Sequence, residues 1–137
     1  MNRVVNWSDA LAVVLADFGP KPFAYGESDC VIFARATIEA LTGRDIFDGE
    51  ELTYNDKAGA LTALKDLARV SGVEKLMDKF LGKRQDFAYC QRGDIVSATF
   101  DFGVALGVCV GNSAPFIKGD GMFERVFLKD CRSRWEV

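Results

Sequence analysis

The 137-residue sequence contains no histidine, so the chain has no imidazole of its own. Imidazole is the usual general base and acid of cysteine hydrolases because its pKa lies near neutral pH. Its absence excludes the ordinary cysteine–histidine machinery from within this chain. A carboxylate from Glu27, Asp29, Asp94 or Asp101 would be a poor substitute, because carboxylates have pKa values near about 4 and hardly deprotonate a thiol.

Long apolar runs and basic clusters are also missing. The longest apolar stretches, such as residues 10–16, are too short to span a bilayer, and the first residues lack the apolar core of a signal peptide. We therefore expect a protein made in the cytoplasm that leaves it only by lysis or inside an assembly. The net charge of −3 and the lack of a Lys/Arg run argue against nucleic acid as the main partner.

The four cysteines show no C-x-x-C spacing: Cys30, Cys90, Cys109 and Cys131. A reducing compartment argues against disulfides, and free cysteine packs as a small hydrophobe. We expect dispersed, reduced thiols with no metal or other cofactor. The alternative left open is that all four thiolates converge on a zinc ion or an iron–sulfur cluster.

Apolar periodicity predicts helices first and strands second. Helical spacing covers residues 7–18, 29–41, 56–70 and 73–81, and β-type composition covers residues 92–100, 104–110, 115–118, 122–128 and 133–137. This order indicates an α+β fold. No linker or repeat interrupts the chain, so we expect one domain over residues 1–137.

The segment Phe-Ala-Tyr-Gly-Glu-Ser-Asp-Cys places a cysteine where the second predicted helix begins. Ser28 is a good N-cap residue, which would put Cys30 in the first helical turn. There the helix dipole and the free backbone N–H groups favour the thiolate. The segment is therefore typical of a nucleophilic cysteine, although the chain lacks the base that such a cysteine needs.

Three segments in order resemble the NlpC-type cell-wall cysteine peptidases, a papain-like family found in bacteria and in phage tails. The matching pieces are Tyr25-Gly26 with Asp29-Cys30, then Gly93-Asp94 at a strand start, then the strand from Ala105 through Gly107 to Gly111. The resemblance covers about residues 20–112. It implies a papain-like fold, with N-terminal helices packed on a C-terminal antiparallel sheet or small barrel.

The same resemblance implies roles for individual residues. Cys30 occupies the nucleophile position, and Ala105 occupies the position of the base, where a methyl group cannot accept a proton. Cys109 lies four residues after Ala105 on an alternating strand, so it is expected on the same sheet face, buried beneath the helix layer of Cys30. Tyr25, Gly26, Asp29 and Asp94 are expected at a substrate groove. From the residues alone, Asp94 also fits a turn that accepts local backbone N–H groups.

The chain is closer still to small phage-encoded NlpC-like proteins, which share an opening Trp helix and a terminal Trp-x-Val, here Trp135-Glu136-Val137. Such proteins resemble tail-tip components. We therefore expect a structural or docking protein of a phage tail tip or baseplate that has lost its base and binds tail hub or baseplate proteins. It would pass from the cytoplasm of the infected bacterium into the virion tail.

Two alternatives stay open. The first is an active hydrolase that cuts peptidoglycan during phage entry, with Cys30 as nucleophile and a carboxylate or a partner's histidine as base. The second is a four-cysteine metal or iron–sulfur protein of the tail tip. Enzymatic activity is thus undecided by the sequence, with its loss the favoured expectation.

Overall fold

Four helices precede five strands, as the periodicity predicts. The computed structural model describes residues 2–119 and 121–137. The helices are α1 (Trp7–Phe18), α2 (Cys30–Thr42), α3 (Lys57–Ala68) and α4 (Val73–Leu81). The strands are β1 (Ile95–Phe100), β2 (Gly103–Val108), β3 (Ser113–Ile117), β4 (Phe123–Phe127) and β5 (Ser133–Trp135). The α+β fold class is confirmed.

The start of α2 differs from the expectation at its cap. Asp29, not Ser28, is the N-cap, and its carboxylate accepts a hydrogen bond from the Ile32 N–H at 2.9 Å. Ser28 instead donates its hydroxyl to the Pro22 carbonyl oxygen at 2.6 Å. The sequence signal was ambiguous because serine and aspartate cap helices about equally well. Cys30 consequently stands at the first position of the helix.

The five strands form one antiparallel sheet in the order β4-β3-β2-β1-β5. The antiparallel sheet is as expected, whereas the alternative of a small closed barrel is wrong, because β4 and β5 form its two edges in the described part of the chain. Strands β1 and β2 pair along their whole length, with Ala98 opposite Ala105. Strands β2 and β3 pair only at Gly107 and Phe116.

Gly107 allows the close approach of β2 and β3. A Cβ atom at this position would lie 2.7 Å from the Pro115 carbonyl oxygen and 2.9 Å from the Phe116 ring. No side chain larger than hydrogen fits there without moving the backbone.

Apolar side chains cover both faces of the sheet. Along β1 and β2, Ile95 and Leu106 point to the helices and belong to the main core, whereas Val96 and Ala98 point to the opposite face. We call these the helix-side core and the far-side core. The far-side core consists of small and medium side chains: Val96, Ala98, Ala105, Cys109, Ala114, Phe116 and Cys131.

Asp94 joins both ends of the chain to the sheet. Its Oδ1 atom accepts hydrogen bonds from the Val137 N–H at 3.2 Å and from Arg3 Nη2 at 3.5 Å. Its Oδ2 atom accepts from the Gln91 N–H at 2.9 Å and from Arg134 Nη1 at 3.3 Å. The Asp94 side chain is only 1% exposed. Burying this carboxylate is therefore possible only because four donors surround it.

We expect Asp94→Asn to lower the free energy of unfolding by about 3 kcal/mol, because the substitution leaves two nearly buried guanidinium groups without their counter-ion. Urea unfolding followed by circular dichroism measures the loss. Asp66→Asn is the matched control, because Asp66 is exposed on α3, and we expect a change of less than about 0.5 kcal/mol. Equal effects of the two substitutions would contradict this account.

Candidate active site

A cleft of about 420 Å³ opens between α3, α4 and the β1–β2 hairpin, and Cys30 forms part of its wall. Most of its lining is apolar. The lining residues used below are Tyr25, Asp29, Cys30, Tyr54, Lys57, Glu74, Phe102 and Ala105. Of the residues expected at the site, the structure thus brings together the nucleophile position, the base position, Tyr25 and Asp29.

The Cys30 thiol lies where α2 meets the start of β2. Its side chain is partly buried and contacts both cores. Burial raises the pKa of the Cys30 thiol to about 12, and the negative charge of Asp29 also raises it. The backbone N–H groups of Leu106, Cys30 and Val31 lower the pKa, but they do not offset burial. The N–H groups at the helix start do favour the thiolate as expected, but the net shift of the pKa is upward because desolvation outweighs them.

Asp29 is adjacent to Cys30 in sequence but is not free to act as its base. Its Oδ1 atom caps α2, and its Oδ2 atom accepts from the Gly26 N–H at 2.8 Å and from the Tyr54 hydroxyl at 2.6 Å. The side chain is buried. All of its contacts go to groups that hold the turn and the helix start, so Asp29 has a structural role.

Gly26 shapes this turn and does not line the cleft. Its φ angle is +81°, and a Cβ atom built on it would collide with the Tyr54 carbonyl oxygen. Tyr25 does line the cleft, and its ring lies edge-on to Phe23 with the centroids 4.8 Å apart. A role for Tyr25 in ligand binding stays a prediction.

Ala105 lines the same cleft as Cys30, although its methyl group points to the far-side core. The residue is 4% exposed and packs in the far-side core against small apolar side chains. The N–H of Leu106, the next residue, interacts with the Cys30 sulfur. The strand start thus reaches the thiol without bringing a proton acceptor to it.

Asp94 does not lie at the cleft, and the expectation of a groove role for it is wrong. It is buried at the start of β1 in the ionic cluster that holds the two chain ends. A Gly-Asp pair is equally typical of a strand start, which is its place in the structure. The residues that bind Asp94 are distant in sequence, so local sequence patterns do not indicate them.

The other three thiols lie together rather than dispersed. Cys90, Cys109 and Cys131 all belong to or pack against the far-side core, and the thiols of Cys90 and Cys109 interact. Cys109 is buried, but the expectation that it lies beneath the helices is wrong, because its strand position points to the opposite face. Across residues 2–119 and 121–137, no group of three or more cysteine and acidic side chains is arranged to hold a metal ion.

Glu74 is a cleft residue that the sequence did not single out. Its carboxylate accepts from the Ser97 hydroxyl at 2.7 Å, from Arg132 Nε at 3.1 Å and from Arg84 Nη1 at 3.1 Å. Burial acts to raise the pKa of Glu74, but the hydrogen bonds from Arg132 and Ser97 hold it below its usual value. Its partners are distant in sequence, so only the tertiary structure identifies this ion-pair network.

A family model described as a domain of unknown function (DUF6950) matches residues 2–137. The chain belongs to this family. No curated protein and no solved structure matches it. The DUF6950 match spans the helices, the sheet and the cleft together, so the cleft lies within the family's defined region. No helix of the described residues has the length and apolar character that a membrane crossing requires.

We expect iodoacetamide to alkylate native Cys30 at least about 100-fold more slowly at pH 7.5 than the same cysteine in urea, because the native thiol is almost wholly protonated. The native rate should still rise at pH 10, below its pKa of about 12. Peptide mapping by mass spectrometry resolves Cys30 from the other thiols. A native rate that levels off below pH 8 would mean that the thiolate forms readily.

Proposed function

We propose that this DUF6950 chain is a catalytically silent, papain-like domain of the NlpC type that serves as a structural or docking component of a phage tail tip or baseplate. One observation carries the proposal: the cysteine at the helix start stands in an open cleft with a raised pKa, and the two carboxylates that line this cleft, Asp29 and Glu74, are bound by other groups. A cysteine hydrolase needs both a thiolate and a group that protonates the leaving amine.

Besides the missing imidazole, three carboxylates that could have served as a base are engaged in other contacts. Both oxygens of Asp29 are occupied by the cap, the Gly26 turn and the Tyr54 hydroxyl. Asp94 is buried in the ionic cluster. Glu74 faces two arginines that keep its pKa low, which makes it a weaker base than an ordinary carboxylate. These three carboxylates therefore give no substitute base.

The papain-like assignment is supported by the arrangement of the elements. A cysteine at the first position of a helix packs against the second strand of an antiparallel sheet, and the position of the base lies on the same cleft. This arrangement is what the NlpC resemblance implies for residues 20–112. The assignment therefore rests on the order of the elements and the placement of Cys30 and Ala105.

The tail-tip assignment is supported by the sequence features shared with the phage-encoded branch. In this structure the residues that carry those features stabilise the fold and take no part in catalysis. Trp135 is buried and donates its indole N–H to Asp78 at 2.9 Å, and the Val137 backbone binds Asp94. The Trp7 ring lies against the Arg3 guanidinium at 4.3 Å. The motif residues hold the fold, so their presence does not require turnover.

The second candidate function is a peptidoglycan hydrolase that acts only when a partner supplies a histidine. The open cleft beside Cys30 favours it, because backbone N–H groups at a helix start can stabilise a tetrahedral oxyanion. The cleft also has room for an incoming side chain. This candidate requires a complete site that exists only in the complex.

The experiment that tests the proposal uses purified virions of the phage that carries this gene. We expect the chain among the tail proteins by mass spectrometry, and we expect Cys30→Ser particles to infect and to degrade peptidoglycan as well as wild type. Cys131→Ser controls for the loss of a thiol elsewhere. Absence from the virion would refute the tail assignment, and loss of entry or hydrolysis with Cys30→Ser alone would establish the hydrolase.

We expect Ala105→His to restore no more than trace hydrolysis to the isolated protein. The new imidazole would enter the far-side core among Val96, Ala98 and Phe116, which offer no side-chain hydrogen-bond partner to orient it. Release of soluble fragments from peptidoglycan is the readout. Ala105→Gln is the control, because it adds a polar side chain without a basic nitrogen. Robust turnover by the histidine variant alone would mean that the site is still organised for catalysis.

A further inference from the structure

Cys90 and Cys109 form a thiol pair away from the cleft. Cys109 is fully buried at the end of β2, and Cys90 is partly buried in the turn that precedes β1. Both residues belong to or pack against the far-side core, their thiols interact, and Cys109 Sγ lies 3.3 Å from the Gly111 carbonyl oxygen. The two thiols are therefore neighbours at the end of β2.

The backbone around the pair is fixed on both sides. The Gly93 N–H donates to the Cys109 carbonyl oxygen and the Cys109 N–H donates to the Asp94 carbonyl oxygen, each at 2.8 Å. The Cys90 N–H donates to Phe87 at 3.1 Å. These bonds hold the turn against the strand end, so the sulfurs stay close in the folded state.

One of the two thiols is open to small molecules. Cys90 lines a surface cavity of about 460 Å³, together with Tyr89, Asn112 and Phe127. Tyr89, which lines this cavity, is 90% exposed. A small disulfide can therefore reach Cys90 from solvent, whereas Cys109 is reached only through Cys90.

We propose that Cys90 and Cys109 form a disulfide when the protein meets a low-molecular-weight disulfide oxidant, and that this bond staples the turn before β1 to the end of β2. The inference concerns this thiol pair and does not depend on the tail-tip proposal. The chemistry is thiol–disulfide exchange in two steps.

In the first step the Cys90 sulfur loses its proton to solvent and attacks oxidised glutathione. The glutathione S–S bond breaks, a Cys90–glutathione mixed disulfide forms, and one glutathione leaves as a thiol. In the second step Cys109 attacks the Cys90 sulfur and transfers its proton to the second departing glutathione. Two protein thiols are oxidised and one glutathione disulfide is reduced to two thiols, so atoms and electrons balance.

The two thiols differ in acidity in the reduced protein. The neighbouring Cys90 thiol lowers the pKa of Cys109, whereas the same contact and burial raise the pKa of Cys90, so the first step is the slower one at neutral pH. Cys131 is the competing thiol in the same core, but its Sγ–H is directed to the Phe127 carbonyl oxygen at 3.7 Å, and burial raises its pKa to about 11. The contact between the two residues therefore selects Cys109 as the partner of Cys90.

The test equilibrates the full-length wild-type protein in glutathione buffers that run from reducing to oxidising. Each sample is acid-quenched, its free thiols are blocked with N-ethylmaleimide, and the peptides are mapped by mass spectrometry. We expect a linked Cys90–Cys109 peptide as the main oxidised product. Cys90→Ser should lose it, and Cys131→Ser, the matched control, should retain it.

Thermal unfolding gives a second readout. The bond would close a loop from Cys90 to Cys109, so we expect oxidation to raise the Tm of the wild type by roughly 5 °C or more, with no rise for Cys90→Ser. Three results would overturn the inference: persistent mixed disulfide at Cys90, a Cys109–Cys131 link as the main product, or thiols that stay reduced in the most oxidising buffer.

Discussion

The buried carboxylate of Asp94 is the point on which the arrangement of the two chain ends depends. It lies between two guanidinium groups, Arg3 from the N-terminal segment and Arg134 from β5, and it also binds the Val137 backbone. An isolated buried carboxylate would cost several kcal/mol, so the partners must all be present for the fold to close. This requirement fixes the N-terminal segment and the last strand on the start of β1. It therefore ties the segment before α1 to the sheet, while α2 packs on β2 and β3 directly.

At the cleft, two opposing electrostatic effects act on one sulfur. A helix N-terminus stabilises a negative charge by about 0.3–1 kcal/mol, or by about 2 kcal/mol in favourable buried geometry. The rise in the pKa of Cys30 from 9.0 to about 12 corresponds to a net effect on the order of 4 kcal/mol in the other direction. Position at a helix start is thus insufficient to make a reactive cysteine. An active thiol of this type needs a cationic partner to offset desolvation, and the described cleft provides none beside Cys30.

The sequence was informative where the signals are local. Helical periodicity located all four helices, and β-type composition located all five strands to within a few residues. The predicted N-cap, Ser28, was wrong because the adjacent Asp29 caps helices equally well. The predicted sheet face of Cys109 was wrong because both faces of the sheet are apolar. When one face of a strand is exposed to solvent, the alternation of polar and apolar residues shows which side chains point to the core. A strand buried on both faces gives no such alternation. The partners of Asp94 and Glu74 come from distant segments, which no periodicity connects.

The cleft is maintained by contacts that do not involve Cys30. Glu74 is held by Ser97 and Arg132, and Lys57 reaches the Phe102 carbonyl oxygen across the cleft at 3.4 Å. Since these contacts form part of the fold, the cleft persists whether or not a reaction takes place in it. The same holds for the turn at Gly26 and Asp29, which the helix start requires for its own geometry. A cysteine at a helix start and an open cleft are therefore evidence of architecture, and only the acid–base groups around the sulfur bear on catalysis.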